Sequence, residues 1–266
     1  MSTKVLVTGA NGQLGKTIKE LSSDNEDDLD FVFVSKEELD ITEAKELRLF
    51  FNNNNFDYCI NCAAYTNVDK AEKTPKIAFK VNAEGVKNLA ELCKVTKTIL
   101  IHISTDYVFD GEKETPYTIK DIPNPINEYG KSKLLGEQFV QEVLDGYFII
   151  RVSWLYSKKY GKNFYRTILE KTKTENKLFV TDAQIGCPTN TESLAKYIVN
   201  LIRKNINIFG LYHFCDNKVM TWYDFAEQIL KEKKLTSQIM LIKNSNYCTF
   251  AKRPKNSVLL NSNSLT

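Results

Sequence analysis

The segment Val5–Ile18 reads VLVTGANGQLGKTI, and its three glycines, Gly9, Gly12 and Gly15, predict how the chain begins to fold. An apolar run precedes the glycines and a helix-forming run follows them. In that context Gly9 allows a tight turn, Gly12 lets a pyrophosphate approach the backbone, and Gly15 lets helix and strand pack closely. The first N–H groups of the helix then face the phosphates. The spacing is GxxGxxG rather than GxGxxG, and a plain strand–helix turn is the alternative.

The rest of the first half repeats this alternation of strand and helix. Short apolar runs, KVLVTGA, FVFVS, YCINCAA, TILIHIST and GYFIIRVS, alternate with longer amphipathic runs that predict helices over 13–21, 42–52, 75–94 and 130–143. Strands that alternate with helices predict a parallel sheet, and nearly all-apolar strands predict burial on both faces. We therefore predict an α/β fold with a doubly wound, Rossmann-like parallel sheet.

Beyond Trp154 the alternation becomes less regular, which predicts a second, smaller unit. We assign residues 1–153 and roughly 178–205 to a dinucleotide-binding domain. Residues 154–177 and roughly 206–266 are assigned to a small C-terminal substrate-binding domain. No linker-like segment separates the two, so we expect them to pack closely.

The bulk composition excludes several functional classes. The 266 residues carry a formal net charge of +3, which is too small to predict binding to nucleic acid or to a membrane. No apolar run reaches the length of a membrane span and no signal peptide is recognised, so a cytoplasmic location is expected. Cys59 and Cys62 have CxxC spacing, but there is no second CxxC and only two histidines occur, so no metal site is predicted.

The end of the second predicted strand bears on the choice of cofactor. It reads VFVSKEELDIT, with Ser35 and Lys36 where a carboxylate would select against a 2′-phosphate. A hydroxyl and a cation suit that phosphate, which favours NADPH and leaves NADH open. Asp40 and Ile41 follow in a loop that would flank the adenine. The alternative for Lys36 is a solvated surface residue.

Two further motifs follow the fourth predicted strand. Ser104 and Thr105, in HISTDYVFDG, lie at a strand end, where α/β sheets place functional groups. Tyr129 and Lys133, in NEYGKSKLLGE, lie four positions apart and would share one face of a helix. A nearby ammonium lowers the pKa of a phenol, which would make the tyrosine an acid. A capping turn and an ordinary surface pair are the alternatives.

Together, GxxGxxG, the strand-end Ser/Thr and YxxxK resemble the signature of the short-chain dehydrogenase/reductase superfamily, in its extended branch that modifies nucleotide sugars. Within that branch the chain is similar to the dTDP-4-dehydrorhamnose reductase family over an ordered series of segments. These are VTGANGQLG, LDIT, NCAAYTNVDKAE, VNAEGVKNLA, STDYVFDG, NEYGKSKLLGE, IIRVSWLY, GKNF, DAQIGCPT, GLYHF, TWYDFA and RPKNSVL.

The resemblance implies reduction of the C4 keto group of dTDP-4-dehydro-6-deoxy-L-mannose to dTDP-L-rhamnose with NAD(P)H. It makes Tyr129 the general acid and Thr105 the hydroxyl that orients the keto oxygen. Lys133 would lower the pKa of the phenol and bind the nicotinamide ribose. NADPH is the expected cofactor and a nucleotide sugar the expected substrate.

The resemblance and the glycine turn together imply two sets of binding residues. The cofactor set is Gly9, Asn11, Gly12, Gln13, Leu14, Gly15, Ser35, Lys36, Asp40, Ile41, Ala63, Ala64, Tyr65, Tyr129 and Lys133. The substrate set is Thr66, Val68, Thr105, Asp106, Trp154, Asn163 and Arg253. Arg253 suits a phosphate because of its planar fork, and an ordinary surface arginine is its alternative.

Some members of the family carry a glutamate after the third glycine that takes part in a magnesium-bridged dimer. Lys16 occupies that position here, so a metal-bridged dimer is not expected, and a homodimer of another kind stays open. Two other functions also stay open: a reductase or epimerase of a different nucleotide sugar, and a non-catalytic NADP-binding subunit resembling the regulatory β subunit of methionine adenosyltransferase. The intact set of Thr105, Tyr129 and Lys133 favours an enzyme.

Overall fold

The computed structural model describes residues 2–23 and 29–262. Its strands are β1 (Thr3–Thr8), β2 (Leu29–Val34), β3 (Tyr58–Asn61), β4 (Ile99–Thr105), β5 (Tyr147–Val152), β6 (Leu155–Tyr156), β7 (Lys177–Val180), β8 (Ile185–Gly186), β9 (Thr189–Asn190), β10 (Gly210–Phe214), β11 (Met220–Thr221) and β12 (Met240–Lys243). Its helices are α1 (Gln13–Ser23), α2 (Ala44–Asn53), α3 (Val68–Lys73), α4 (Pro75–Phe79), α5 (Gly85–Thr96), α6 (Glu128–Val143), α7 (Phe164–Lys171), α8 (Thr191–Arg203) and α9 (Trp222–Glu232).

The central sheet has six strands in the order β10-β5-β4-β3-β1-β2, and every pairing in it is parallel. The chain adds β2 on one side of β1 and all later strands on the other side. The crossovers therefore reverse direction between β1 and β3, which is the point where such sheets open a crevice at their carboxyl edge. The predicted doubly wound parallel sheet is confirmed.

Helices cover both faces of this sheet, as its apolar strands require. On one face α1 and α8 pack through residues such as Leu14 and Ile198. On the other face α2, α5 and α6 contribute Leu47, Leu89 and Val140 to a second core. Each of these five side chains is at most 4% exposed.

The helix predicted over 75–94 begins at Pro75 but is interrupted by a π-helical turn, Lys80–Glu84. Asn82 in this turn is buried and bonds with both the N–H and the C=O of Tyr65. Its amide also donates to Ser132 of α6, 3.0 Å away. The turn thus fixes the loop after β3 against α6.

A smaller lobe lies beside the sheet. Helices α7 and α9 pack on the parallel pair β7–β12 through a separate apolar cluster that includes Tyr165, Leu178, Phe225 and Ile239. Two further short pairs, β8–β11 and β6–β9, form separate two-stranded sheets. The cluster supports the predicted second unit.

The division into domains remains a proposal, with two amendments from strand pairing. Strand β10 lies within the range 206–266, yet it extends the six-stranded sheet by pairing with β5. Strand β7 overlaps the range 178–205, yet it pairs with β12 in the smaller lobe. Among the described residues, no helix is both long and apolar enough to cross a bilayer. The polar end, residues 263–266, lies outside the described part of the chain.

Candidate active site

Two adjoining cavities open at the carboxyl edge of the sheet, beside the reversal between β1 and β3. The larger has a volume of about 630 Å³ and the smaller about 290 Å³. Gly12, Cys62 and Ala64 line both, so the two form one continuous trough. An extended ligand could therefore lie across the glycine turn with one end in each cavity.

The glycine turn is shaped as the sequence predicts. Gly9 has φ +66°, and a Cβ there would lie 2.6 Å from the backbone N of Ala63. The N–H of Gly12 donates to the Gly9 carbonyl at 2.9 Å. A Cβ on Gly15 would meet Ala10 Cα at 2.7 Å, which is the close helix–strand packing expected of the third glycine.

The smaller cavity collects most of the predicted adenosine and pyrophosphate residues. Its lining includes Gly9, Asn11, Gly12, Lys36, Asp40, Ile41, Ala63, Ala64 and Tyr65. Gly15 and Ser35 line neither cavity. Gly15 acts in packing, and Ser35 is buried, with its backbone N–H donating to Glu38 at 2.7 Å.

A carboxylate that the sequence analysis did not use, Glu37, also lines the smaller cavity. Hydrogen bonds from its own backbone N–H and from Ser35, with a further one from Asn11, lower the pKa of Glu37, so it is ionised at neutral pH. Lys36 is exposed and lies 3.6 Å from Asp40. The cavity therefore presents both a cation and a carboxylate to a ribose.

The larger cavity brings the three predicted catalytic side chains together. Thr105 ends β4, while Tyr129 and Lys133 lie on α6, and all three line the cavity. Asn127 caps this helix by accepting from the N–H of Gly130 at 2.7 Å. Further predicted residues on its walls are Gln13, Leu14, Thr66, Val68, Asp106, Trp154 and Arg253.

The electrostatics of the tyrosine differ from the prediction. Burial raises the pKa of Tyr129 to about 12, although a hydrogen bond with Thr105 opposes the shift. Lys133 Nζ donates to the carbonyl of Ile103 at 2.7 Å and contributes no resolved lowering of the phenol's pKa. The expectation that Lys133 depresses the pKa of Tyr129 is therefore not met in this arrangement, because desolvation dominates.

Asp106 is a buried carboxyl beside the same tyrosine. It accepts from the hydroxyls of Thr105 at 3.1 Å and Ser153 at 3.0 Å. Burial nevertheless raises the pKa of Asp106 to about 6. This acid therefore titrates close to neutral pH on the wall of the cavity.

Trp154 forms part of the far wall in an unusual backbone conformation. Its φ is +47°, and its ring stacks on Trp222 with centroids 3.4 Å apart and planes 3° from parallel. A Cβ on Gly186 would lie 2.6 Å from Nε1 of Trp154, so only glycine leaves room behind the ring. Trp222 is a cavity residue that the sequence analysis missed, because nothing local marks a tryptophan that starts a helix.

Two predicted substrate residues have structural partners. Arg253 reaches the cavity, but its guanidinium pairs with Asp69 at 2.9 Å. Asn163 lines neither cavity; its side chain caps α7 by accepting from Arg166 N at 3.1 Å and donates to Gln13. The structure thus gives Asn163 a supporting position behind Gln13 instead of a place on the wall.

The cysteine pair does not form a site of its own. Cys59 is fully buried in β3, whereas Cys62 lines both cavities, so their side chains diverge as expected for a strand. Among residues 2–23 and 29–262, no group of three or more His, Cys, Asp or Glu side chains is arranged to hold a metal ion. Lys16 stands where some family members carry a glutamate that takes part in a magnesium-bridged dimer, and its Nζ lies 6.0 Å from the centre of the Tyr160 ring.

Comparison with known proteins places this geometry in a family context. The family model described as "RmlD substrate binding domain" matches residues 3–266. A dTDP-4-dehydrorhamnose reductase of Aggregatibacter actinomycetemcomitans is 37% identical over 266 residues, which cover 96% of this chain and 90% of that protein. A dTDP-4-keto-6-deoxy-D-glucose reductase of Streptomyces niveus is 36% identical over 87% of this chain and 79% of its own length.

A solved structure agrees with both relatives. The crystal structure of dTDP-4-dehydrorhamnose reductase from Bacillus anthracis in complex with NADP superposes with a TM-score of 0.93. The two sequences are 37% identical, and the match covers 98% of this chain and 92% of the crystallised one. The similarity therefore includes the sheet, the trough and the smaller lobe.

Proposed function

Because the chain belongs to the RmlD substrate-binding-domain family, we propose that it reduces the C4 keto group of dTDP-4-dehydro-6-deoxy-L-mannose to dTDP-L-rhamnose with NADPH. The observation that carries the proposal is the convergence of Thr105, Tyr129 and Lys133 in one cavity that continues into the glycine-lined trough. A non-catalytic NADP-binding subunit would not need these three groups on one wall.

The trough fits the cofactor by its backbone. Gly12 lines both cavities and leaves the turn open to a pyrophosphate, whereas glycine at position 9 lets the turn approach the backbone of Ala63. Gln13 begins α1, and the first N–H groups of this helix would face the phosphates. Lys36 would face the 2′-phosphate, while Asp40 and Ile41 would flank the adenine. When bound, NADPH supplies the hydride that adds to C4. NADH stays an alternative because Glu37 suits a free 2′-hydroxyl.

The proton for the new alcohol would come from Tyr129. Its hydroxyl is on the cavity wall and hydrogen-bonded to Thr105, so both groups can reach one carbonyl oxygen. A phenol whose pKa is raised to about 12 is fully protonated at neutral pH and can donate as negative charge develops. Thr105 would stabilise the same oxygen with a hydrogen bond once its single hydroxyl proton, which is donated to Asp106 in this structure, turns to the substrate.

The sugar nucleotide would occupy the rest of the larger cavity. Thr66, Val68, Asp106 and Trp154 line it, and the stacked indoles of Trp154 and Trp222 would give a hexose an apolar wall. Arg253 would meet a phosphate only by sharing its guanidinium with Asp69. Asn163 would act indirectly, because it caps α7 and donates a hydrogen bond to the side chain of Gln13.

A second candidate acts on another 4-keto sugar. The relative from Streptomyces niveus is named for the reduction of dTDP-4-keto-6-deoxy-D-glucose, and it is nearly as similar as the relative from Aggregatibacter. The catalytic side chains would be the same for both sugars and for an epimerase, so product identity distinguishes them.

The test is to incubate the purified chain with a panel of dTDP-4-keto-6-deoxy sugars, with NADPH or NADH, and to identify products by NMR. We expect cofactor oxidation with the L-mannose-configured ketone and dTDP-L-rhamnose as product. Binding of this ketone without cofactor oxidation would contradict the proposal. A different alcohol as the main product would favour the second candidate.

Tyr129→Phe should lower kcat by a factor of about a hundred or more, as expected for removal of a general acid, and leave NADPH binding within about twofold. NADPH affinity is measured by fluorescence titration in parallel with turnover. Tyr107→Phe is the matched control, since Tyr107 packs edge-on against Tyr129, with centroids 5.9 Å apart, and lines the same cavity. Equal losses in both variants would remove Tyr129 from the role of acid.

The proposal includes a homodimer and a cytoplasmic location. The mass of the full chain by light scattering, with and without NADPH, tests the first. Fractionation of cells that express the protein tests the second. A monomer, or recovery outside the cytoplasmic fraction, would contradict them.

A further inference from the structure

A chain of buried polar side chains runs behind Lys133, on the side away from the cavity. It links Thr8 of β1, Asn61 of β3 and His102 of β4 to the lysine, and all four are at most 2% exposed. Thr8, Asn61 and His102 line neither cavity. They therefore act on bound ligands only through Lys133 or through the sheet.

The orientation of the Asn61 amide is fixed by a backbone group. The N–H of Ala63 lies 3.1 Å from Oδ1 of Asn61, and a backbone N–H can only donate. The hydroxyl of Thr8 lies 2.7 Å from the same oxygen. The amide Nδ2, which can only donate, then lies 3.1 Å from Nδ1 of His102. Nδ1 of the imidazole must accept.

The position of the imidazole proton follows. Burial lowers the pKa of His102 well below its usual value, so the ring is neutral and carries one proton. With Nδ1 accepting from Asn61, that proton is on Nε2. Nε2 lies 3.3 Å from Nζ of Lys133. An ammonium has three donors and no lone pair, so the contact is a hydrogen bond only when Nζ is a neutral amine that accepts from the ring.

The other groups around Lys133 do not offset the effect of burial on its pKa. Glu137, one turn further along α6, favours the ammonium, but its carboxylate is paired with Arg151 at 2.6 Å. Cys62, from the loop after β3, has a thiol whose pKa is raised by burial, so it carries no charge at neutral pH. Burial lowers the pKa of Lys133 to about 8. The lysine therefore changes charge within the range where an enzyme works.

We propose that His102 is a positioning residue: Asn61 fixes its proton on Nε2, and this N–H opposes the ammonium form of Lys133 and favours the neutral amine. The inference rests on the proposed reduction, in which the family resemblance gives Lys133 the nicotinamide ribose to bind. A lysine held weakly by its imidazole neighbour exchanges that contact easily for a ribose hydroxyl. Asn61 and His102 thus set the pH at which Lys133 is charged without touching substrate.

The tautomer can be read directly, because the chain has only two histidines, His102 and His213. His213 is the matched internal control: its Nδ1 lies 3.1 Å from the carbonyl of Tyr117 and must donate. In full-length protein labelled with ¹⁵N-histidine, long-range ¹H–¹⁵N spectra at neutral pH should show one ring protonated on Nε2 and one on Nδ1. His213→Gln assigns the two sets. A proton on Nδ1 of His102 would overturn the proposal.

Asn61→Asp should move the ring proton of His102 from Nε2 to Nδ1. The carboxylate keeps the acceptor contacts to Thr8 and Ala63 but accepts from Nδ1 of His102, so the ring proton moves there and Nε2 accepts from the ammonium. We expect the tautomer to change and the alkaline limb of kcat/KM to move up by about one pH unit or more. Thr8→Val is the control, since it removes one hydrogen bond but leaves Ala63 to fix the amide. Its tautomer and pH profile should stay unchanged.

The two measurements separate the possible failures. If the protein reduces no 4-keto sugar, the proposed function fails, and the ionisation of Lys133 is followed instead through the Nε2 resonance of His102 as pH is raised. If Asn61→Asp does not fold, the spectrum of the unmodified chain still decides the tautomer. A switched tautomer with an unmoved Lys133 titration would overturn the role assigned to His102.

Discussion

Two side chains at the smaller cavity bear on the choice between NADPH and NADH. Glu37 is ionised on its wall, and Lys36 is exposed beside Asp40. A carboxylate binds a free ribose 2′-hydroxyl and repels a 2′-phosphate, whereas a cation does the reverse. Preference between NADPH and NADH therefore depends on a balance of two neighbouring residues.

Glu37→Gln should raise the ratio of kcat/KM for NADPH to that for NADH by about tenfold, since a negative charge that repels the 2′-phosphate is removed. Lys36→Met should lower the same ratio. Both are read from initial rates with each cofactor. A ratio that moves in the same direction in both variants would show that charge is not the determinant.

Asp106 makes stability depend on pH in the unusual direction for a carboxyl group. Burial raises its pKa in the folded protein to about 6, above the ordinary 3.8. Its favourable contribution is thus present below the unfolded value and is lost as pH rises through about 6. Asn at this position does not titrate. The free energy of unfolding of Asp106→Asn, taken relative to that of the parent chain, should therefore be higher at neutral than at acid pH by on the order of 2–3 kcal/mol.

Urea unfolding of both proteins at several pH values measures this difference. Asp121→Asn is the control of opposite sign. Its pKa is lowered to about 2, chiefly by a hydrogen bond from Lys113, so its contribution is present above the ordinary value and is lost in acid. If Asp106→Asn, like Asp121→Asn, becomes less stable relative to the parent chain as pH rises to neutral, the raised pKa of Asp106 is wrong.

Sequence reasoning found the residues whose position is encoded locally. The spacing of Tyr129 and Lys133 predicts that they share a helix face, and Thr105 ends a predicted strand, while the family resemblance implies that the three meet. It did not use Glu37, although this residue directly follows Lys36 in the same segment. It could not find Trp222 or the pair of Asn61 and His102, because their roles come from contacts between segments distant in sequence. It also could not weigh desolvation, which raises the pKa of Tyr129 more than any neighbour lowers it.

At the scale of elements, the glycine turn between β1 and α1 separates packing from binding. Gly15 presses on Ala10, whereas a Cβ on Gly12 would meet only the Gly9 carbonyl, 3.1 Å away, and would face the trough. The two glycines have different roles in the motif, and their surroundings differ accordingly. A methyl group added at each should therefore act on different properties.

Gly12→Ala should weaken NADPH binding by about tenfold or more and leave the free energy of unfolding within about 1 kcal/mol. Gly15→Ala should destabilise the fold by about 1–3 kcal/mol through overpacking. Chemical unfolding and NADPH fluorescence titration measure the two effects. Equal destabilisation in both variants would contradict this separation.

Element pairing in the second half was harder to predict than in the first. The early strands alternate with helices, and β1, β3, β4 and β5 follow one another across the sheet, with β2 on the other side of β1. Strand β10 reads GLYHF and follows α8, and only its pairing with β5 shows that it belongs to the large sheet. Strands β7 and β12 are about sixty residues apart and meet in the smaller lobe, which no local pattern encodes.

At the scale of the whole molecule, one ligand would connect the large sheet with the smaller lobe. The larger cavity is lined from both: Thr105 and Tyr129 belong to the sheet side, while Phe164 and Trp222 belong to α7 and α9. A cofactor in the trough stabilises the folded state by mass action, and a substrate would add the contact between the lobes.

NADPH at about a hundred times its Kd should stabilise the chain by about 2.7 kcal/mol. For a domain of this size the shift in Tm is then roughly 5–10 °C. Scanning fluorimetry across NADPH concentrations measures it, and Gly12→Ala serves as the control with a smaller shift. A Tm that does not change with NADPH concentration would contradict cofactor binding in the trough.

The stacked rings of Trp154 and Trp222 are also the whole tryptophan content of the chain. All indole absorption and emission therefore originates from one coupled pair on the wall of the larger cavity. Two parallel chromophores in contact interact as an exciton, so their near-ultraviolet circular dichroism depends on how they are aligned. A sugar that presses on this wall would disturb the pair and quench or shift its emission. The stacked pair should then report the arrival of a substrate optically, without a label.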